Sequence, residues 1–167
     1  MNRQRMRGVY VVEFAIIGLL LFTLLFGVVE MGRLYFTVNS LDEVVRRGAR
    51  LAAVCDIQDP VILRRAIFKA ATDSGASDLI GGLETADLNL VYLNEAGATV
   101  ANPDDLVSAT GFRAIRYVQL RVEGFPFELL IPGFRGVFTL PAFRSTIPRE
   151  SLGRHAEAGV FPEITPC

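Results

Sequence analysis

One histidine, His155, and two cysteines, Cys55 and Cys167, leave this 167-residue sequence short of catalytic and metal-binding groups. It has no His-Glu-x-x-His or Cys-x-x-Cys pair to hold zinc, and no Gly-x-Ser-x-Gly turn to present a nucleophilic serine. Gly81-Gly82 stands alone, without the spacing of a phosphate-cradling loop. Asn102, Asp104 and Asp105 lie close together but lack the alternating carboxylates and glycine of a calcium loop, so a turn is expected there. Glu123 and Glu128 supply the two carboxylates that glycoside hydrolysis needs, yet nothing in the sequence brings them into one cleft. The expectation is a protein that is not an enzyme, with no catalytic residue, no metal and no cofactor. A net charge of −1 excludes the basic surface that nucleic acid requires, and no small-molecule substrate is implied.

Charge is also absent from Phe14 to Val29, and no proline occurs before Pro60. At about 1.5 Å per residue, a helix over the apolar run Val9–Val29 reaches roughly 30 Å, the thickness of a bilayer's hydrocarbon core. Glu13 is the one charge in that run. A carboxylate at the bilayer centre costs roughly 2.5–3.5 kcal/mol on insertion scales, so even near the end of the run it calls for a reason. Arg3, Arg5 and Arg7 precede the run, which by the positive-inside rule places the N-terminus in the cytoplasm and everything after Val29 on the exported side. An ordinary cleaved signal peptide has a shorter apolar part and a small-x-small site, and Gly27-Val28-Val29-Glu30 is a poor one. Gly18 and Gly27 are too far apart for a Gly-xxx-Gly dimer motif.

Beyond the run the periodicity changes without stopping. Leu34, Val38, Leu41, Val45, Gly48 and Ala52 recur every three or four residues, the stripe of an amphipathic helix, with Arg33, Asp42, Arg46 and Arg50 off it. One rod from residue 9 to about Val54 is expected. Asp56 to Pro60 breaks it, with Asp59 as N-cap and Pro60 in the first turn of a second helix. That helix carries the stripe Ile62, Leu63, Ala66, Ile67, Ala70 and ends at Thr72–Gly75, with Arg64, Arg65 and Lys69 as a solvated face. Leu88–Leu93, a turn at Asn94–Gly97, and Ala98–Ala101 read as a hairpin. Arg113–Glu123 alternates, Ala114, Val118, Leu120 and Val122 facing one way. Phe125–Phe134, apolar with two prolines, cannot be a central strand. It is expected as a packed loop with one helical turn, the alternative being an exposed apolar patch. Val137–Leu140 and Phe143–Ile147 read as one last strand interrupted at Pro141, and residues past Glu150 as an unplaced tail.

Three ordered motifs carry a resemblance. Gly8, four residues, then Glu13-Phe14 ahead of an apolar run resembles the processing site of type IV pilin precursors. Val29-Glu30-Met31-Gly32-Arg33-Leu34-Tyr35 and Arg46-Arg47-Gly48-Ala49-Arg50 then narrow it to the TadE-like family of the tight-adherence (Flp-type) pilus system, called minor pilins or pseudopilins. A weaker likeness, to the family's closing strand, lies at Leu140–Glu150. The resemblance implies that a prepilin peptidase cuts between Gly8 and Val9, that Glu13 and Phe14 serve helix register and assembly, and that the partners are other minor and major pilins and the inner-membrane assembly platform. Loss of three leader arginines from a net −1 would leave the mature chain at about −4.

The fold expected is α+β: residues 1–8 as leader, 9–54 as transmembrane helix and amphipathic stem, 55–150 as an exported head of one helix on an antiparallel sheet, and 151–167 as tail. About 110 residues lie beyond the long helix, enough for a modest core. Cys55 and Cys167 both fall on the exported side, where a disulfide persists; a bridge and two free thiols are both open. Two functional readings follow. One is a component of the pilus, in the bacterial inner membrane or carried into an extracellular pilus, and the other is an unprocessed single-pass anchor bearing a periplasmic scaffold or binding head.

Overall fold

A sequence without proline for its first third, its glycines isolated from one another, folds as one helix. The computed structural model describes residues 3–57, 59–131, 136–154, 164 and 167, with side chains from residue 8 onward. Helix α1 runs Arg3–Val54, so it begins inside the expected leader and passes through Gly8 unbroken. Its first part is long and apolar enough to cross a membrane. The chain divides into two compact units, Met1–Phe36 with Phe127–Phe138, and Thr37–Pro126 with Thr139–Cys167.

In the second unit the amphipathic stripe is buried and wider than the sequence suggests. Leu41, Val44, Val45, Ala49, Ala52 and Ala53 are inaccessible, and Thr37 and Ser40 extend the same face. Helix α2, Pro60–Ala66, starts as expected: the Asp59 carboxylate accepts the Val61 N–H at 2.9 Å, and Pro60 spends no donor in the first turn. It ends earlier than its stripe implies. Phe68 takes a left-handed conformation (φ 65°), and the Arg64 guanidinium and Ser77 hydroxyl bond the Ala71 and Ile67 carbonyls, so Ala70 lies outside the helix.

The sheet has the order β1-β2-β5, all antiparallel, from Leu88–Leu93, Tyr117–Val122 and Phe143–Pro148. Val118, Leu120 and Val122 face the core, as their alternation requires. The expected local hairpin forms in part. The turn Asn94–Gly97 does form, with Gly97 at φ 77° and the Asn94 side chain accepting the Ala98 N–H. Ala98–Ala101 folds back on the end of β1 through the Leu93–Thr99 bridge and the bonds of the Asn94 N–H to the Ala98 carbonyl and of the Val100 N–H to the Tyr92 carbonyl, while the six-residue ladder of β1 is with β2. The single interrupted strand at Pro141 is corrected. Val137–Thr139 is β4 and pairs with β3, Pro126–Glu128, as a separate two-stranded sheet, whereas Phe143–Pro148 joins β2. Pro126 opens an edge strand, where a missing N–H costs no ladder bond. The expected helical turn in Phe125–Phe134 is absent among the described residues; Pro132–Phe134 lie outside them.

Gly48 is where α1, α2 and β2 meet. A Cβ there would meet the Leu120 side chain and, at 2.9 Å, the Ala66 Cβ. The glycine lets helix and sheet approach closely. Gly48→Val is therefore expected to destabilise the fold by about 1–3 kcal/mol through overpacking. Denaturant unfolding of the detergent-solubilised chain measures it, and an unchanged midpoint would contradict the close approach.

The end of α1 is closed by residues far away in sequence. The last carbonyls of a helix have no partner within it. Here the Leu152 N–H bonds the Ala53 carbonyl at 3.0 Å, and the Gly153 N–H and Ser151 hydroxyl bond the Val54 carbonyl at 2.8 and 3.1 Å. Leu152 is fully buried, and Arg154 pairs with Asp56 at 2.9 Å. Residues Ser151–Arg154, expected as unplaced tail, thus form a cap for the stem; His155 and the rest up to residue 163 lie outside the described residues.

Candidate functional site

Helix geometry sets the first cluster. Gly8, Val9, Glu13 and Phe14 lie on the opening turns of α1, and Val9 and Glu13 are one turn apart on the same face. No heavy atom lies within 4 Å of a Cβ built on Gly8. Val9 is 56% exposed and Phe14 78%, and Glu13 is exposed. Every large apolar residue from Val9 to Val29 is likewise uncovered. The structure therefore brings the four residues onto one accessible helix end and places no other part of the described chain over them.

A second cluster forms where the apolar run stops, and sequence reasoning had it only as part of a resemblance. Glu30 and Arg33 are three residues apart, so both point to one face of α1. Arg33 Nη2 donates to Glu30 Oε1 at 2.8 Å and Nε to Oε2 at 3.4 Å. The same guanidinium donates to the Glu128 carbonyl and stands 4.5 Å from the centroid of the Phe127 ring. The Leu130 N–H reaches back to Glu30 Oε1 at 3.4 Å. Glu30 is 7% exposed, a burial that a carboxylate tolerates because a cation and donors surround it. The pair thus fastens the Phe127–Leu130 segment to the helix. Proximity of Glu, Gly and Arg was visible in the sequence; what they hold was not.

A third set is structural. Arg46 pairs with Asp42 at 2.5 Å, and Arg47 stands 5.3 Å from the Phe68 ring. Cys55 and Cys167 are joined as a disulfide, with Cα atoms 5.4 Å apart. The Asn102–Gly111 loop is a turn, as expected. Asp105 Oδ1 accepts the N–H groups of Ser108 and Val107, which hold its carboxyl below the usual carboxylate range. A cleft of about 370 Å³ lies over this loop, and the carboxylate lining it is that same Asp105, already engaged by its own backbone.

Residues 8–50 match the TadE-like protein family. The TadE-like segment begins on Gly8, ends on Arg50 and takes in Glu13, Glu30, Arg33 and Gly48. It covers about a quarter of the chain, and the weaker likeness at Leu140–Glu150 lies outside it. The match points to a pilus-associated, structural role. No curated protein and no solved structure matches the chain.

Proposed function

We propose that this chain is a minor pilin or pseudopilin of a tight-adherence (Flp-type) type IV pilus system. It sits in the inner membrane with its N-terminus in the cytoplasm and its head in the periplasm, and it serves assembly, possessing no enzymatic activity of its own. A prepilin peptidase cuts after Gly8, and the mature helix then packs with the helices of other minor and major pilins at the assembly platform. The observation that carries this reading is the accessible Gly8–Phe14 helix end at the head of an apolar run, within the TadE-like segment. An open glycine is reachable by a protease active site, and an uncovered apolar helix has lipid or other helices as its natural surroundings.

One observation favours a second reading, the unprocessed anchor with a scaffold or binding head: α1 begins at Arg3 and continues through Gly8 without a break. Intact mass separates the two. Chain extracted from membranes is expected to lack Met1 to Gly8, and a reporter that works only when exported is expected to be active when fused after Glu150. Retention of the eight residues would favour the anchor, and a reporter active only in the cytoplasm would end both readings.

A further inference from the structure

The hairpin β3–β4 is tied to α1 at a depth that the sequence defines. Phe14–Val29 spans about 24 Å as a helix. Hydrocarbon is about 30 Å thick, so its exported boundary falls at or just past Val29. Glu30 and Arg33 are the next charges, and they grip the hairpin through the Glu128 carbonyl, the Phe127 ring and the Leu130 N–H. Going from Phe127 to Leu130, the contacts move from Arg33 back to Glu30, so this strand heads toward the apolar run. Three side chains on the hairpin are large, apolar and uncovered: Leu130 at 66%, Val137 at 63% and Phe138 at 57%. Among the described residues neither outer edge of this two-stranded sheet carries a further strand; the β3 edge is met by Glu30 and Arg33, the β4 edge is open, and an open edge is not tolerated in hydrocarbon. Apolar side chains with polar edges fit the headgroup layer and nothing deeper.

The geometry points to β3–β4 as an interfacial membrane anchor, whose Leu130, Val137 and Phe138 side chains enter the exported leaflet at headgroup depth. Glu30 and Arg33 act as its clasp: they are paired with each other at the boundary, so neither charge faces lipid alone. This rests on the reading that Val9–Val29 crosses a bilayer. It adds a second membrane contact, one that holds the stem's rotation and depth beyond what a single uniform apolar helix sets.

The chain contains no tryptophan, so one introduced tryptophan reports its own surroundings. Phe138→Trp, Leu130→Trp and Leu21→Trp are each made in the full-length chain and reconstituted in phosphatidylcholine vesicles brominated either near the headgroup or deep in the acyl chain. The expected result for Phe138→Trp and Leu130→Trp is blue-shifted emission, lost chiefly to the shallow bromolipid and resistant to aqueous iodide. Leu21→Trp is expected to lose emission chiefly to the deep bromolipid. Red-shifted emission from both hairpin reporters, quenched by iodide alone, would overturn the anchor while the Leu21→Trp result stands. Protection that grows with the protein-to-lipid ratio would assign the hairpin to a second copy and overturn it equally. If Leu21→Trp escapes bromolipid, the bilayer reading fails and the anchor fails with it.

Discussion

Replacing Gly8 with a bulky residue such as Phe is expected to abolish processing and leave a full-length, membrane-held and inactive chain. The uncut leader keeps Arg3, Arg5 and Arg7 on the end of the helix. Burying an unpaired cation costs several kcal/mol even after relaxation, so three of them block entry into a packed helical core. On the proposed topology the same helix can remain an anchor, because its leader then stays in the cytoplasm. Anti-head immunoblots and intact mass should show one species carrying Met1, with pilus assembly lost.

On the proposed function, Glu13→Ala is expected to separate cleavage from assembly. Cutting after Gly8 turns the Val9 nitrogen into an amine, which is largely cationic at neutral pH. It lies one turn from Glu13, and the amine of a neighbouring subunit can approach the same carboxylate as helices stack. Away from water, opposite charges a few Å apart offset much of each other's desolvation, so the pairing rewards one axial register. Glu13→Ala is expected to be cut and inserted normally while assembly fails, and a mature variant that assembles like the parent would remove the register role. The alanine also relieves a carboxylate whose cost in the bilayer centre is roughly 2.5–3.5 kcal/mol, so the monomer in membranes should be no less stable.

How far these features were legible depends on whether their cause is local. The continuous helix, the Asp59-Pro60 start and the Asn94–Gly97 turn each arise from neighbours a few residues apart, and each is present in the structure. The inward face of β2 follows from alternation alone. Strand pairing does not. The adjacent Ala98–Ala101 does fold back on Leu93, but nothing local tells Leu88–Leu93 that its full ladder is with Tyr117–Val122, a partner brought to it only by the tertiary fold. The prolines of Phe125–Phe134 correctly excluded a central strand, but a clasp on Glu30 and Arg33 needed the fold to bring positions about a hundred residues apart together. Phe68 hid the end of α2, since its left-handed backbone is rare for an aromatic residue. Ser151–Arg154 was least legible. Its work is done largely by backbone N–H groups, and these leave no side-chain pattern to read.

That cap and the bridge beside it carry the largest expected effect on stability. The disulfide ties the end of α1 to a residue 112 positions later. Closing so long a loop restricts the unfolded chain and is worth up to about 4–5 kcal/mol in the chain-entropy model. Cys167→Ser is therefore expected to lower the unfolding free energy by up to about 4–5 kcal/mol, and reductant should lower the unfolding midpoint of the parent but not of the variant. Leu152→Ala tests the cap without touching the bridge. Its side chain is fully buried among Ala52, Ala53 and Tyr92, so truncation should cost about 2–5 kcal/mol in either redox state. Gly153→Val strikes the same place by another route. With φ at 70°, a side chain there is strained, and its Cβ would lie 2.6 Å from the Asp56 Cα. On the topology proposed above the head lies on the oxidising, exported side, so bridge and cap are expected to act together only after it has left the cytoplasm. Alkylation of the unreduced, purified chain decides the first half of this: labelling at both Cys55 and Cys167 would leave the cap alone to hold the end of the stem.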